Sequence, residues 1–225
     1  MIGTAFELVL RNRYLLLIGI FVLVLNWVNS VGEYMVSTVV EMQYDALYQG
    51  DGGVSKQTFI GQFYSTYYLV VNLCTVLIQL LLVSRLIKWL GFAGAFCLTP
   101  VLLLVGYGVL VFFPVLTIFR AVKIGENSLD YSLQNTTRQM LFLPLSRREK
   151  YEGRAVTDSL FLRFGDLLQA FTIFIGLNVF DFHPKEFVGV NLVLVLIMLL
   201  VASRIVKSHS SVSSGDSMVA PVSNG

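Results

Sequence analysis

The sequence predicts an all-α protein, an integral membrane bundle of six transmembrane helices. Hydrophobic residues make up 56% of the chain and charged residues 13%, whereas a soluble domain is typically about 45–50% apolar and about 25% charged. The apolar stretches approach the roughly 20 residues that a helix needs to cross a hydrocarbon core about 30 Å thick. They also lack the strict alternation of apolar and polar residues that membrane β-barrels require.

Six apolar stretches follow one another along the chain. They lie near residues 14–34, 59–83, 92–113, 114–143, 155–179 and 188–203. The first is too long for a signal peptide and no small-residue cleavage site follows it, so it is interpreted as a retained helix that continues towards Met42. Pro100 predicts a kink in the third. Residues 1–207 are therefore predicted to form one six-helix transmembrane domain, and the Ser- and Gly-rich residues 208–225 a disordered cytoplasmic tail.

The distribution of basic residues predicts the orientation. With six spans both termini share a side, and that side collects most of the cations: Arg11, Arg13, Arg85, Lys88, Arg147, Arg148, Lys150, Arg154, Arg204 and Lys207. The opposite loops hold Lys56 and Lys185, so the positive-inside rule predicts that both termini are cytoplasmic. Because no transit peptide precedes the first span, the expected location is a bacterial inner membrane. A net charge of +2 without a basic run does not suggest nucleic acid as a partner.

The fourth span carries an unusual number of charges for a membrane segment. Each charged side chain near the centre of a membrane helix costs roughly 2.5–3.5 kcal/mol on insertion scales, so these groups must face protein or water. Polar residues recur at intervals of three or four and predict one stripe facing the interior of the bundle: Arg120, Lys123, Asn127, Asp130, Gln134 and Arg138. The alternative is purely structural pairing of Arg120 and Lys123 with Glu126 and Asp130.

The first span has a stripe of its own, in which Asn26, Asn29, Glu33 and Ser37 recur at the same spacing. Glu33 has no cation nearby in sequence, so it needs a partner on another helix or water. It is a candidate to neutralise a solute cation, to bind a proton or to hold a cation of the fourth span. An interhelical seam of hydrogen bonds is the structural alternative. In the fifth span Asp166 is expected to lie deepest, where it can pair with Arg163.

The signatures of soluble enzymes are missing from the sequence. There is no GxxxxGK[ST] phosphate loop, no HExxH and no GxSxG, and the two histidines, His183 and His209, lie in a loop and in the tail. Cys74 and Cys97 each lie in an apolar stretch and are interpreted as free thiols. We therefore expect neither an enzyme nor a cofactor or metal site.

Two segments carry a resemblance to a known family. AFELVLRNRYLLLIGIFVLVLNWVNSVGEYMVS and the later ENSLDYSLQNTTRQMLFLPLSRREKYEGRAVTDSLFLRFGD resemble the carboxy-terminal half of the ATP/ADP translocases, the nucleotide exchangers of plastids and intracellular bacteria. Residues 131–145 are the most specific part. The resemblance implies a major-facilitator-like plan of two six-helix halves that rock about a central site, of which this chain supplies one. A partner, a homodimer or the rest of a longer product would supply the other.

This sequence departs from the family pattern at positions that bear on the solute. The family typically places a lysine before the Tyr-Ser-Leu, where this chain has Asp130, and another lysine where it has Arg138. Its Pro-Leu-Gly-Lys stretch is replaced here by residues 163–166, Arg-Phe-Gly-Asp. Glu33 aligns with a family carboxylate. Because a polyphosphate must be offset by cations, Asp130 would oppose its binding.

The resemblance and the polar stripes together predict a half-transporter that works by alternating access. The residues expected to bind the solute or couple its movement are Asn26, Asn29, Glu33, Arg120, Lys123, Asn127, Asp130, Arg138 and Asp166. Arg120 and Arg138 are expected to act as gates or to bind anionic groups. The solute that the resemblance implies is ATP exchanged for ADP. The alternatives are a proton-coupled carrier of another solute, which would use the buried carboxylates, and a membrane scaffold that transports nothing.

Overall fold

A computed structural model describes residues 2–48 and 55–216. The described residues are almost entirely helical and include no strand, which confirms the all-helical prediction. A short helix α1 (Ile2–Arg11) is followed by α2 (Arg13–Leu47), whose first turn is capped by the side chain of Asn12. The predicted continuation of the first span as helix past Met42 is therefore present.

A second helical stretch contains both the second and the third predicted spans. Lys56–Leu77, a π-helical turn at Ile78–Leu82 and Val83–Phe112 follow one another without a loop. Gly91 divides them, with φ 67° and ψ 178°, and we name residues 56–90 α3 and residues 92–112 α4. Gly91 thus lies where the second span was expected to give way to the third, between residues 83 and 92, and its positive φ is accessible to glycine. The backbone at Pro100, where a kink within the third span was expected, stays helical.

The remaining chain forms three long helices. Helix α5 (residues 116–140) consists of Leu116–Leu129, a π-helical turn at Asp130–Gln134 and Asn135–Met140. Helix α6 (Arg147–Asn178) contains another π-helical turn, Thr157–Phe161. Helix α7 (Pro184–Asp216) runs past the predicted end near residue 203. The segment expected to be a disordered tail is therefore helical as far as Asp216, and its last residues lie outside the described ones.

Four of the described helical stretches are long and apolar enough to cross a membrane: Arg13–Leu47, Lys56–Phe112, Arg147–Asn178 and Pro184–Ser210. The protein is therefore an integral membrane protein. The count of six crossings is not confirmed, for two reasons. The stretch Lys56–Phe112 counts once although Gly91 divides it, and α5 is too rich in charge to qualify by apolarity.

Helix α2 lies at the centre of the bundle. It packs against α5, α6 and α7, while α7 also packs against α4, and α3 against α5. Apolar side chains of α2 that are fully shielded from solvent, such as Val28, Val31 and Val36, form the middle of the core. The outer faces of α3 and α6 instead expose large apolar groups, among them Leu80 and Phe171, as expected where a helix meets lipid or another protein surface.

Two hydrogen bonds tie the N-terminal residues to the residue that follows α5 and to the first turn of α6. Asn12 Nδ2 donates to Glu149 Oε1 (2.9 Å), and Tyr14 Oη donates to the carbonyl of Leu141 (2.9 Å). The ring of Tyr14 also lies 6.3 Å from that of His209 on α7. The start of the chain and the end of α7 therefore lie at the same end of the bundle, which we call the basic end because residues 11–13 and 147–150 are there.

Candidate functional site

The most heavily partnered polar group in the bundle interior is the ammonium of Lys123. The side chain is only 1% exposed. Its Nζ donates to Oδ1 and to the carbonyl of Asn29 (2.7 and 3.2 Å), and lies 3.5 Å from Glu33 Oε1 and 3.2 Å from Glu126 Oε2. Because a lone charge in the membrane interior is costly, these contacts explain how α5 can carry this lysine.

The spacing of α2 brings its polar groups to this ammonium. Asn29 and Glu33 are four residues apart and so lie on one face of the helix. Gly32 lies on α2 between them and lets α4 and α5 approach closely, since a Cβ there would be 2.6 Å from Tyr107 Oη and 2.9 Å from Lys123 Nζ. The small residue is thus required by the position of the ammonium.

A second layer of hydrogen bonds fixes the two carboxylates. Asn127 Nδ2 donates to Glu33 Oε1 (2.8 Å) and to Tyr67 Oη (2.9 Å), and Tyr67 Oη donates to Glu33 Oε1 (3.3 Å). Tyr107 Oη donates to Glu126 Oε2 (2.9 Å). Helices α2, α3, α4 and α5 therefore all contribute to one polar network. We call it the lysine cluster: Asn29, Glu33, Tyr67, Tyr107, Lys123, Glu126 and Asn127.

The lysine cluster borders an opening on the side away from the basic end. We call it the tyrosine opening, and its volume is about 430 Å³. Its lining residues are Ser30, Glu33, Tyr34, Ser37, Tyr64, Tyr68 and Gln169. The Glu33 side chain is 33% exposed and is the charged group among these lining residues. One oxygen of Glu33 therefore binds the cluster while the carboxyl group is still accessible from the opening.

A second cavity lies between the cluster and the basic end. The Asp130 cavity, of about 420 Å³, is lined by Asn26, Asn29, Asp130, Tyr131, Asn135, Arg138 and Leu162. No hydrogen bond or ion pair within 4.0 Å involves the Asp130 carboxylate in the part of the chain that the structure describes. Arg138 lines the same cavity, so its opposite charges are one carboxylate and one guanidinium.

The π-helical turn in α5 modifies the predicted polar stripe. Such a turn contains an additional residue and rotates the following residues about the helix axis. Asp130 and Arg138 both line the Asp130 cavity, whereas Gln134, expected on the same stripe, is fully buried. Neither side-chain amide atom of Gln134 has a hydrogen-bond partner among the described residues. Gln134 therefore faces the interior of the bundle, as the stripe predicted, but it does not line the Asp130 cavity.

Helix α6 reaches the Asp130 cavity through a direct bond to α2. Asn26 Nδ2 donates to Asp166 Oδ1 (2.7 Å) and to the carbonyl of Leu162 (3.0 Å). Gly165 allows this close approach, since a Cβ there would lie 2.9 Å from the carbonyl oxygen of Leu23. The other oxygen of Asp166 pairs with the exposed Arg163 at 3.3 Å. Asp166 therefore holds two helices together at the cavity wall.

Arg120 lies apart from both groups. Its guanidinium is 5.4 Å from the ring centre of Phe63 on α3, a distance typical of a cation–π contact. Conversely, the sequence pattern indicates Glu126 only as a pairing partner and does not indicate Tyr67 or Tyr107. The three-residue step from Lys123 to Glu126 was a usable signal, but a tyrosine in an apolar helix carries none.

Comparison with known proteins places these observations in context. The chain is 24% identical over 186 residues to ADP,ATP carrier protein 1 of Chlamydia muridarum and 26% identical over 186 residues to that of Chlamydia trachomatis. Each alignment covers 72% of this chain and 33% of the relative. The corresponding Chlamydia pneumoniae protein is 22% identical over 175 residues. No protein-family profile and no solved structure matches the chain.

These similarities support a distant relationship with the ATP/ADP translocase-like proteins at the level of the family. The relatives are carriers by name, and the chain spans about a third of the length of each.

Proposed function

We propose that this chain is one half of a membrane transporter that works by alternating access. In this proposal α2 to α7 each cross the membrane, both termini lie in the cytoplasm and the location is a bacterial inner membrane. A second six-helix half, either a partner or another copy of the chain, completes the solute path. The similarity to carriers and the excess of arginine and lysine at the basic end support this arrangement.

The observation that carries the proposal is a chain of polar contacts between the two openings. Glu33 lines the tyrosine opening, Asn29 lines the Asp130 cavity, and Lys123 touches both of them. Ionisable groups inside a membrane bundle mark solute or ion pathways far more often than they serve stability. Releasing and remaking the contacts of Lys123 would open the path to one side and then to the other.

ATP and ADP, exchanged for one another, are the solutes that we propose first, because the relatives are ADP,ATP carriers. Arg138 in the Asp130 cavity and Arg120 at Phe63 are the groups that would meet the phosphates. Since Asp130 offsets Arg138 within the cavity, further cations must come from the second half. Asn26, Asn127 and Asp166 would position the solute or the helices that surround it.

Uptake into proteoliposomes tests this function. The complete gene product is reconstituted into vesicles, and the entry of labelled ATP is followed with and without ADP inside them. We expect uptake that depends on internal ADP, that is lost in Lys123→Met and that persists in Lys88→Met, whose side chain is exposed. Equal uptake by the two variants would refute a role for the lysine cluster.

A proton-coupled carrier of another solute is the second candidate. The lone carboxylate of Asp130 in a cavity with a single cation favours it, because such a group is suited to take up a proton. Uptake that is driven by a pH step into vesicles without internal nucleotide would support this candidate and refute strict exchange. Absence of any nucleotide or pH-driven uptake would leave a non-transporting scaffold.

A further inference from the structure

The lysine cluster contains more negative than positive groups. Helix α5 packs against α2, α3 and α4, and the titratable groups that these elements direct at Glu126 are Glu33, Tyr67 and Tyr107, with Lys123 on α5 itself. Neutral tyrosines add no charge. With both carboxylates ionised, the cluster would therefore carry one net negative charge, and no second cation contacts it among the described residues.

The surplus negative charge of the lysine cluster is most clearly assigned to Glu126. This residue is 3% exposed, and both of its partners, Tyr107 Oη and Lys123 Nζ, bind the same oxygen, Oε2. The other oxygen, Oε1, is buried, and no group in residues 2–48 and 55–216 forms a hydrogen bond with it. An ionised carboxylate in the membrane interior with one unpartnered oxygen is a costly state, because the lost hydration is not replaced.

We propose that Glu126 is a proton-binding site, and that its proton couples solute movement to the proton gradient. A proton binds to Oε1, the carboxylate becomes a neutral acid and the net charge of the cluster changes from minus one to zero. The coupling role rests on the proton-coupled carrier proposed above as the second candidate, but the occupancy of the site does not.

The contacts of Lys123 supply a route for the proton. Glu33 is reached by water through the tyrosine opening, and Nζ of Lys123 contacts one oxygen of Glu33 and one of Glu126. Glu33 first takes up a proton from water in the opening. The ammonium then passes a proton to Oε2 of Glu126 and regains the one held by Glu33, so the charges of Lys123 and Glu33 are unchanged at the end. Rotation of the neutral carboxyl group about its Cγ–Cδ bond carries the O–H to the Oε1 position. The neutral acid of Glu126 attracts the ammonium less than its carboxylate does, so Lys123 then binds mainly to Glu33 and Asn29.

Infrared difference spectroscopy of the full protein in lipid tests occupancy without any solute. A pH titration of the wild type should show the C=O stretching band of a buried carboxylic acid, exchangeable in D₂O. Glu126→Gln should remove that band, and Glu41→Gln, the same change at an exposed carboxylate, should retain it. Persistence of the band in Glu126→Gln, or its loss in Glu33→Gln alone, would overturn the assignment.

A second variant protects the test against misfolding. Tyr107→Phe leaves the carboxyl group in place but removes its hydrogen bond to Oε2, so the band should shift in frequency and remain. An unshifted band would contradict the proposal. Uptake that is stimulated by Na⁺ in a protein without an acid band would also contradict it, because a metal cation would then balance the surplus negative charge of the lysine cluster.

Coupling is measured separately by uptake at a series of pH values. Glu41→Gln, the change at an exposed carboxylate, should retain accumulation driven by a pH gradient, whereas Glu126→Gln, which mimics the protonated state permanently, should lose it. If gradient-driven accumulation survives in this variant, coupling at Glu126 is wrong. If the band is present but no variant or wild type transports anything, the proton site stands and the transport function fails.

Discussion

Replacing Lys123 by methionine should destabilise the bundle strongly. The substitution keeps an unbranched side chain of similar length and removes the ammonium that lies 3.5 Å from Glu33 and 3.2 Å from Glu126. The two carboxylates are then left facing each other, together with an unbonded Asn29 Oδ1. Breaking a buried pair by removing one partner costs roughly 3–5 kcal/mol, and the second carboxylate places the expectation at the upper end.

Reversible unfolding in mixed micelles, followed by the fluorescence of Trp27 after the exposed Trp89 has been replaced by phenylalanine in every variant, measures this cost. Trp27 is a suitable reporter because its Nε1 donates to Thr172 Oγ1 across the α2–α6 contact (3.0 Å). Lys88→Met supplies the matched control, and the double variant Lys123→Met with Glu126→Gln should recover part of the loss. The reasoning is refuted if Lys123→Met differs from Lys88→Met by less than about 0.5 kcal/mol, the usual range for surface changes.

Three further substitutions have defined outcomes. Gly32→Ala should displace Lys123, abolish uptake and cost about 1–3 kcal/mol, as expected for overpacking, because its Cβ would lie 2.6 Å from Tyr107 Oη and 2.9 Å from Lys123 Nζ; an active variant would show that the ammonium need not stay in place. Gly165→Ala should cost about 1–3 kcal/mol, as expected for overpacking, since it meets the immobile carbonyl of Leu23; an unchanged unfolding midpoint would contradict this close approach. Ser146→Ala removes the capping hydrogen bond at the start of α6 and should cost about 1 kcal/mol of stability. Ser146→Thr should retain stability, and an equal loss in both variants would argue against the cap.

Much of the fold follows from apolar length alone, which places the helices near their observed positions. The polar stripe of α2 is also visible in sequence, because Asn26, Asn29 and Glu33 keep helical spacing through a regular helix. The sequence pattern cannot show which helix supplies the partner of each charged side chain. That Glu33 shares Lys123 with Glu126 depends on how α2 and α5 cross, and on Gly32 being small enough to allow it.

Backbone irregularities limit what the sequence pattern can predict within the helices. The kink expected at Pro100 is not found, and the non-helical φ lies at Gly91, near the expected boundary between the second and third spans. The π-helical turn at Asp130–Gln134 contains an additional residue that a three- or four-residue rule lacks, so Asp130 and Arg138 line one cavity while Gln134 is buried apart from it. The cation–π contact of Arg120 with Phe63 carries no signal in the sequence either, because the two residues lie on different helices.

The two openings on either side of Lys123 have a consequence for the electric field. Volumes of about 430 and 420 Å³ are each large enough for several water molecules, and water carries the potential of its own side inward. The voltage across the membrane would then fall mainly over the short segment from Glu33 to Asn29. A full unit charge moved through that field gains about 2.3 kcal/mol per 100 mV. Small displacements of a single ammonium would thus make turnover of the proposed transporter sensitive to voltage.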